Sequence, residues 1–252
     1  MNPATVRLPR GYARFVPFSP PTAVRGLRRV AGRLGAADLD ESRLLPTAAA
    51  VTAACLYATL PRTFIAGSAG YLAAARWVVP ALAVALVVPL ALTAPSGRIV
   101  YSAGRRTGAI ALIVVLTAAN TAAIVLLVHL IVNGHHVRGP ELIRAALHIW
   151  CTNVLVFALW FWQLDSGGPM ARRGPHRTRL DFLFPQTAMP ELAPGWQPKF
   201  LDYLYLSFTN SSAFSPTDTM PLTQLAKMLM LLESASSLLL LAMVAARAVN
   251  IL

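Results

Sequence analysis

The chain has 252 residues, 56% of them hydrophobic and only 13% charged. That balance excludes an ordinary soluble domain and places the chain in the membrane class. The net charge of +12 would point to nucleic acid in a soluble protein. Here the arginines cluster between apolar runs, so membrane topology accounts for them and no nucleic-acid partner is expected. Cys55 and Cys151 both lie in apolar runs without CxxC spacing, which supports neither a zinc site nor a redox pair.

Residues 1–43 form a basic N-terminal arm with eight arginines, broken by Pro9, Pro17, Pro20 and Pro21. Thr22 to Leu34 has the spacing of one short basic amphipathic helix, with Val24, Leu27, Val30 and Leu34 on one face. The arm is too long and too basic for a signal peptide. It reads either as a contact for anionic lipid or as a flexible topological anchor.

Residues 44–163 are expected to hold four transmembrane helices. Leu44 to Pro61 is the weakest run, rich in Ala and Thr and barely long enough. Arg76 to Ala94 carries Pro80 and Pro89, which should kink it. Gly108 to Val132 is nearly all apolar, with Asn120 and His129 inside, and Leu142 to Gln163 ends in Trp160-Phe161-Trp162, a cluster suited to the headgroup boundary. Asn120 and Asn153 suit interhelical hydrogen bonding. The histidines, including His135, His136 and His148, show no metal-site spacing.

Residues 164–199 read as a basic loop. Gly167-Gly168-Pro169 is a turn and not a phosphate loop, since no Gly-Lys-Ser/Thr follows. With the N-terminus inside, the cytoplasmic side holds sixteen Arg and Lys residues and the opposite side four, namely Arg62, Arg76, Arg138 and Arg144. This asymmetry predicts a multi-pass protein of the cell inner membrane with a cytoplasmic N-terminus.

Residues 200–252 read FLDYLYLSFTNSSAFSPTDTMPLTQLAKMLMLLESASSLLLLAMVAARAVNIL. An aromatic-apolar run leads into polar Ser207, Asn210, Ser211 and Ser212, then a Pro-containing turn, then a final membrane helix. This order resembles the pore module of bacterial potassium channels: a short re-entrant helix, a loop and an inner helix. Leu206 to Ala213 track the first half of that family's pattern, and Asp218-Thr219-Met220-Pro221 matches its closing Asp-x-x-Pro. Where the family has Gly-Tyr-Gly, this chain has Phe214-Ser215-Pro216-Thr217. A carbonyl ladder around an ion needs the positive-φ conformations that glycine adopts; Phe214 is unsuited to them and Pro216 fixes φ near −65°. The resemblance therefore implies the architecture without potassium selectivity. As a whole the chain also resembles uncharacterised bacterial multi-pass membrane proteins grouped as a family of unknown function, through its Asp-aromatic-Leu-Tyr-x-Ser-Phe-Thr stretch and the following Phe-Ser-Pro-Thr-Asp.

The fold expected is all-α, an integral membrane protein with five transmembrane helices and one re-entrant helix-loop before the last. Two functions stay open. One is a channel-like protein, a homo-oligomer because one such module builds only part of a pore wall, with Ser207, Asn210, Ser211, Ser212, Phe214, Thr217 and Asp218 on its polar face. The other is a non-conducting scaffold or partner subunit that keeps a channel-derived fold. Glu233, inside the last span, is a candidate functional charge, since an intramembrane carboxylate is expensive; its bland alternative is a hydrogen bond to a neighbouring helix, through Asn153 or Ser237. Asp202 suits an N-cap; Asp218 suits either a charged entrance or a cap for the final helix. Ser211, Ser212 and Ser215 lack a nucleophile-elbow setting, so no enzyme, cofactor or metal is expected. The bilayer is the expected partner.

Overall fold

The structure is a computed structural model, and it describes residues 44–60, 80–85, 103–133, 139–173, 179–212 and 218–249. The basic arm with its candidate helix at Thr22 to Leu34 lies outside these residues, as do Phe214 and Thr217. The main elements are α1 (Leu44–Ala58), α2 (Ala103–Val132), α3 (Gly139–Leu164), α4 (Phe200–Ser212) and α5 (Gln224–Val249). A short pairing joins β1 (Phe182–Leu183) to β2 (Met220–Pro221). Among the described residues, Arg106–Val132, Gly139–Gly167 and Gln224–Ala246 are long and apolar enough to cross a membrane. At about 1.5 Å per residue, α1 spans only about 22 Å.

In these long apolar stretches few side chains compete for the backbone, and a helix pairs each N–H with a carbonyl of its own segment. Residues 80–85 are also helical, and Ala83 is buried. Three of the expected spans correspond to long apolar helices with shifted ends: α2 starts at Ala103 rather than Gly108, α3 at Gly139 rather than Leu142, and α5 covers the last. Most of the span expected at Arg76 to Ala94 lies outside the described residues.

The hub of the bundle is α3, the most enclosed of the three long helices, with 61% of its most apolar stretch buried. Each of three core clusters contains part of it. In the first, the small face of α1 (Ala49, Ala50, Ala53, Ala54) meets Leu112 and Leu116 of α2 and Val156, Ala158 and Leu159 of α3. Alanine lets the backbones approach closely, which is how helices associate where the solvent is as apolar as leucine. The second joins Leu127 and Leu130 of α2, Leu142, Ala145 and Ile149 of α3 and Leu240 of α5, with Tyr57 and Leu60 at the end of α1. The third is aromatic: Phe157 and Phe161 of α3, Phe182, Phe184, Tyr203, Leu206 and Ala226.

Order along these contacts sets direction. On α2, Thr117 accepts from Trp160 Nε1 at 2.8 Å, while Asn120, further on, donates to Asn153 at 2.9 Å. On α4, Tyr203 meets Asp165, Ser207 meets Val154, and Phe208 packs edge-on to Trp150 with centroids 5.7 Å apart. On α5, Ala226 packs near Phe161, Ser237 reaches Asn153, and Leu240 joins Ile149. Hence α1, α2, α4 and α5 all run antiparallel to α3. α5 touches the bundle through a narrow seam of Ala226, Glu233, Ser237 and Leu240, and only 17% of its most apolar stretch is buried.

α3 ends abruptly. Ser166, Gly167 and Gly168 take φ of 54°, 82° and 104°. Beyond the turn lie a helical turn at Pro169–Arg173, β1 and another helical turn at Pro185–Ala188. β1 pairs antiparallel with β2 through Phe182↔Pro221 and Leu183↔Met220. The chain is therefore predominantly helical, as expected from its composition, with this two-residue pairing as an addition. The stretch read as a plain basic loop is partly built structure.

Candidate functional site

Glu233 is fully buried, at 0% exposure, where α3, α4 and α5 meet. Ser207, also at 0%, places its hydroxyl within hydrogen-bonding distance of Glu233 Oε1 and, at 2.7 Å, of the Val154 carbonyl oxygen. Asn210, one turn along the same face of α4, donates from Nδ2 to Glu233 Oε2 at 2.7 Å and to the Met230 carbonyl at 3.0 Å. Ser234 donates to the Asn210 carbonyl at 3.1 Å, which is one of the α4 carbonyls left open near the helix end. The partners of Glu233 are thus Ser207 and Asn210 on α4. The expected alternatives, Asn153 and Ser237, are engaged elsewhere.

Asn153 sits one step deeper in the same interface. It donates from Nδ2 to Ser236 Oγ at 2.9 Å and Ser237 Oγ at 3.1 Å, and accepts from Asn120 at 2.9 Å. Asn120 and Asn153 thereby tie α2, α3 and α5 together. A polar seam thus runs through the bundle, with Asn120 bonded to Asn153 and Asn153 bonded on to Ser236 and Ser237.

Of the expected polar face, Ser207 and Asn210 belong to this seam. Ser211 is buried but returns its hydroxyl to Phe208 O of its own helix at 3.0 Å, and Ser212 is exposed and does the same at 2.6 Å. Asp218 is exposed and stands apart from Glu233. It does not cap α5; Thr223 does, with Ala226 N donating to its Oγ1 at 3.3 Å. Nor is Asp202 an N-cap. It lies in the first turn of α4 and accepts from Lys199 N at 2.7 Å, the reach-back half of a capping box.

A second buried cluster closes the end of α3, and sequence reasoning passed over it. Asp165 is at 0% exposure. Its Oδ1 accepts from Ser166 Oγ at 3.1 Å, Asp181 N at 3.1 Å and Phe182 N at 3.3 Å, and its Oδ2 accepts from Tyr203 OH. Asp181 accepts from Ser166 N at 2.9 Å and Thr223 Oγ1 at 2.7 Å, while its carbonyl takes Leu222 N at 2.8 Å. Arg172, only 4% exposed, donates from Nη1 to the Trp162 and Asp165 carbonyls at 2.6 and 3.0 Å. A cation on the last carbonyls of a helix complements its dipole. The guanidinium also lies 4.9 Å from the Tyr203 ring centre. The available signal was a pair of aspartates flanking a Gly-Gly-Pro turn, with an arginine seven residues after the first.

Among the described residues, the histidines do not converge. His129 is beside Asn133, at 2.9 Å from Nδ1. His148 faces a crevice also lined by Tyr57, Leu60, Asn120 and Thr152.

Comparison with protein-family models, with curated proteins and with solved structures finds no match to this chain.

Proposed function

We propose that this chain is a non-conducting membrane scaffold or partner subunit, built on a helix-loop-helix of the channel type that is locked against its own bundle. One observation carries this reading. The polar atoms of α4 best placed to line a pore, those of Ser207 and Asn210, are spent on Val154, Met230 and Glu233 of the same chain. A polar face in hydrocarbon must meet water, a second subunit or its own neighbours. Here its own neighbours suffice. The opposite face of α4 carries Leu201, Tyr205 and Phe208, all exposed, which suits lipid or an apolar partner helix and not an aqueous path.

Five spans with one re-entrant helix-loop remain the best topology. α1 and α2 run the same way, which requires a crossing between them, and buried Ala83 packs with both. α4, about 20 Å long, starts beside Asp165, and β2 is back at that end, paired with β1. An entry and a return on one side support a re-entrant element. That end also carries the start of α1 and the basic stretch after α3, so the charge asymmetry supports assigning it to the cytoplasm.

The test is reconstitution of the full chain in liposomes. Flux of potassium, sodium and chloride should equal that of empty vesicles, and cysteines at Ser207 and Ser211 should resist small water-soluble thiol reagents. Selective flux above the control, with Ser207→Cys reactive, would establish a pore instead.

A further inference from the structure

Ser207 carries one hydroxyl proton. Two oxygens lie within its hydrogen-bonding reach, the Val154 carbonyl oxygen and Glu233 Oε1. With the carboxyl group ionised both are pure acceptors, and one of the two contacts has no proton in it. Asn210 cannot supply the missing one. Its two N–H protons are directed at Glu233 Oε2 and the Met230 carbonyl. The count closes with a proton on Glu233 Oε1. Glu233 then donates to Ser207 Oγ, Ser207 donates to the Val154 carbonyl, and Oε2 accepts from Asn210. Each proton is used once and each contact contains one.

We infer that Glu233 is a proton-binding site: H+ occupies its carboxyl group when α4 is docked, and that proton completes the bridge from α5 through Ser207 to α3. The inference goes beyond the scaffold reading and holds for a conducting or a non-conducting chain alike.

The surroundings agree. The side chains grouped about Glu233 are Ser207 and Asn210 from α4, Asn153 from α3, and Ser234, Ser236 and Ser237 from α5, all neutral. The contribution of α2 to the seam is Asn120, also neutral. Among the described residues, the titratable groups near it on each element are directed elsewhere. Tyr203, one turn earlier on α4, is bonded to Asp165. His148 on α3 faces the crevice beside Asn120 and Tyr57. Lys227 is exposed, six positions earlier on α5 and so about 240° around the helix. A carboxylate here would stand buried without a counter-charge, the arrangement that proteins avoid by neutralising the group. Removing the proton leaves an unpaired charge and one empty contact at the joint between α3, α4 and α5, so α4 should loosen as the pH rises.

The test is infrared difference spectroscopy on the full chain in lipid nanodiscs, wild type minus Glu233→Gln, across a pH series. A carboxylic-acid C=O band at neutral pH that is absent from Glu233→Gln is the expected result, together with faster amide exchange in α4 once the band is lost at alkaline pH. Glutamine can donate one N–H to Ser207 and accept from Asn210 through its oxygen, with one N–H left over, so this variant should lie close to the wild type in stability at neutral pH and show no alkaline loosening. Only carboxylate bands at neutral pH would overturn the assignment. If Glu233→Gln does not accumulate, Ser207→Ala takes its place: the acid band should shift as its proton loses its acceptor, and a spectrum unchanged by Ser207→Ala overturns the assignment equally.

Discussion

The Tyr203 hydroxyl donates to Asp165 Oδ2 across 38 residues of sequence, joining the first turn of α4 to the end of α3. Both residues are at 0% exposure, so neither can take water in exchange. Tyr203→Phe keeps the ring against Phe182, Phe184 and Arg172 and removes one donor. Hydrogen bonds to charged groups are worth about 1.5–3 kcal/mol. A loss of about 2 kcal/mol in detergent unfolding is expected, with topology unchanged. A change under about 0.5 kcal/mol would mean that Asp165 finds another donor.

Asn120 and Asn153 offer a cleaner measure of the central seam. Their single bond at 2.9 Å joins two helices long and apolar enough to cross a membrane. Interhelical hydrogen bonds in membranes average about 0.6 kcal/mol by double-mutant cycles, with a maximum of about 1.7. The cycle Asn120→Ala against Asn153→Ala should give a coupling in that range. Asn153→Ala alone should cost more than Asn120→Ala, because it also strips Ser236 and Ser237 of a donor.

Two glycines with positive φ should behave differently. Gly168 has φ of 104°, and an added Cβ would stand 3.0 Å from the Gln163 carbonyl oxygen. Gly195 has φ of 73° with open space around it. An L-residue at such φ costs about 1–2 kcal/mol by itself. Gly195→Ala should cost about that much, and Gly168→Ala more, since a backbone oxygen must also move. Thermal midpoints of the two variants check the order.

Topology can be read by labelling at exposed positions. Ala188 and Asn133 are exposed at opposite ends of the bundle. Ser166, an obvious choice from its place in a polar loop, is only 8% exposed and held through Asp181, so a cysteine there would report burial and not sidedness. In a Cys-free background, Asn133→Cys should react with an impermeant reagent on intact cells. Ala188→Cys should react only after lysis. The reverse pattern would invert the orientation.

The sequence by itself determined the helical class, the approximate positions of the described long apolar helices and the uneven placement of arginine between them. These are local properties: about 20 apolar residues in a row must be helical in hydrocarbon, and arginine between such runs has a sidedness of its own. It also marked Glu233 and the polar residues of α4 as costly in a bilayer. Their partnership was not legible. Glu233 lies 26 residues from Ser207 and 23 from Asn210, and Ser207 lies 53 from Val154. No periodicity spans such gaps; the pairing exists because α4 and α5 descend side by side along α3. The cluster at Asp165 was hidden for a related reason. A stretch dense in Gly, Pro and Arg reads as solvated loop, and only the packed fold turns Arg172 inward onto the last carbonyls of α3 and buries Asp165 beneath Tyr203. Hydropathy decides which segments leave water. Which polar groups then satisfy one another is decided by the tertiary structure, because an unpaired polar group costs far more inside the bundle than in a loop.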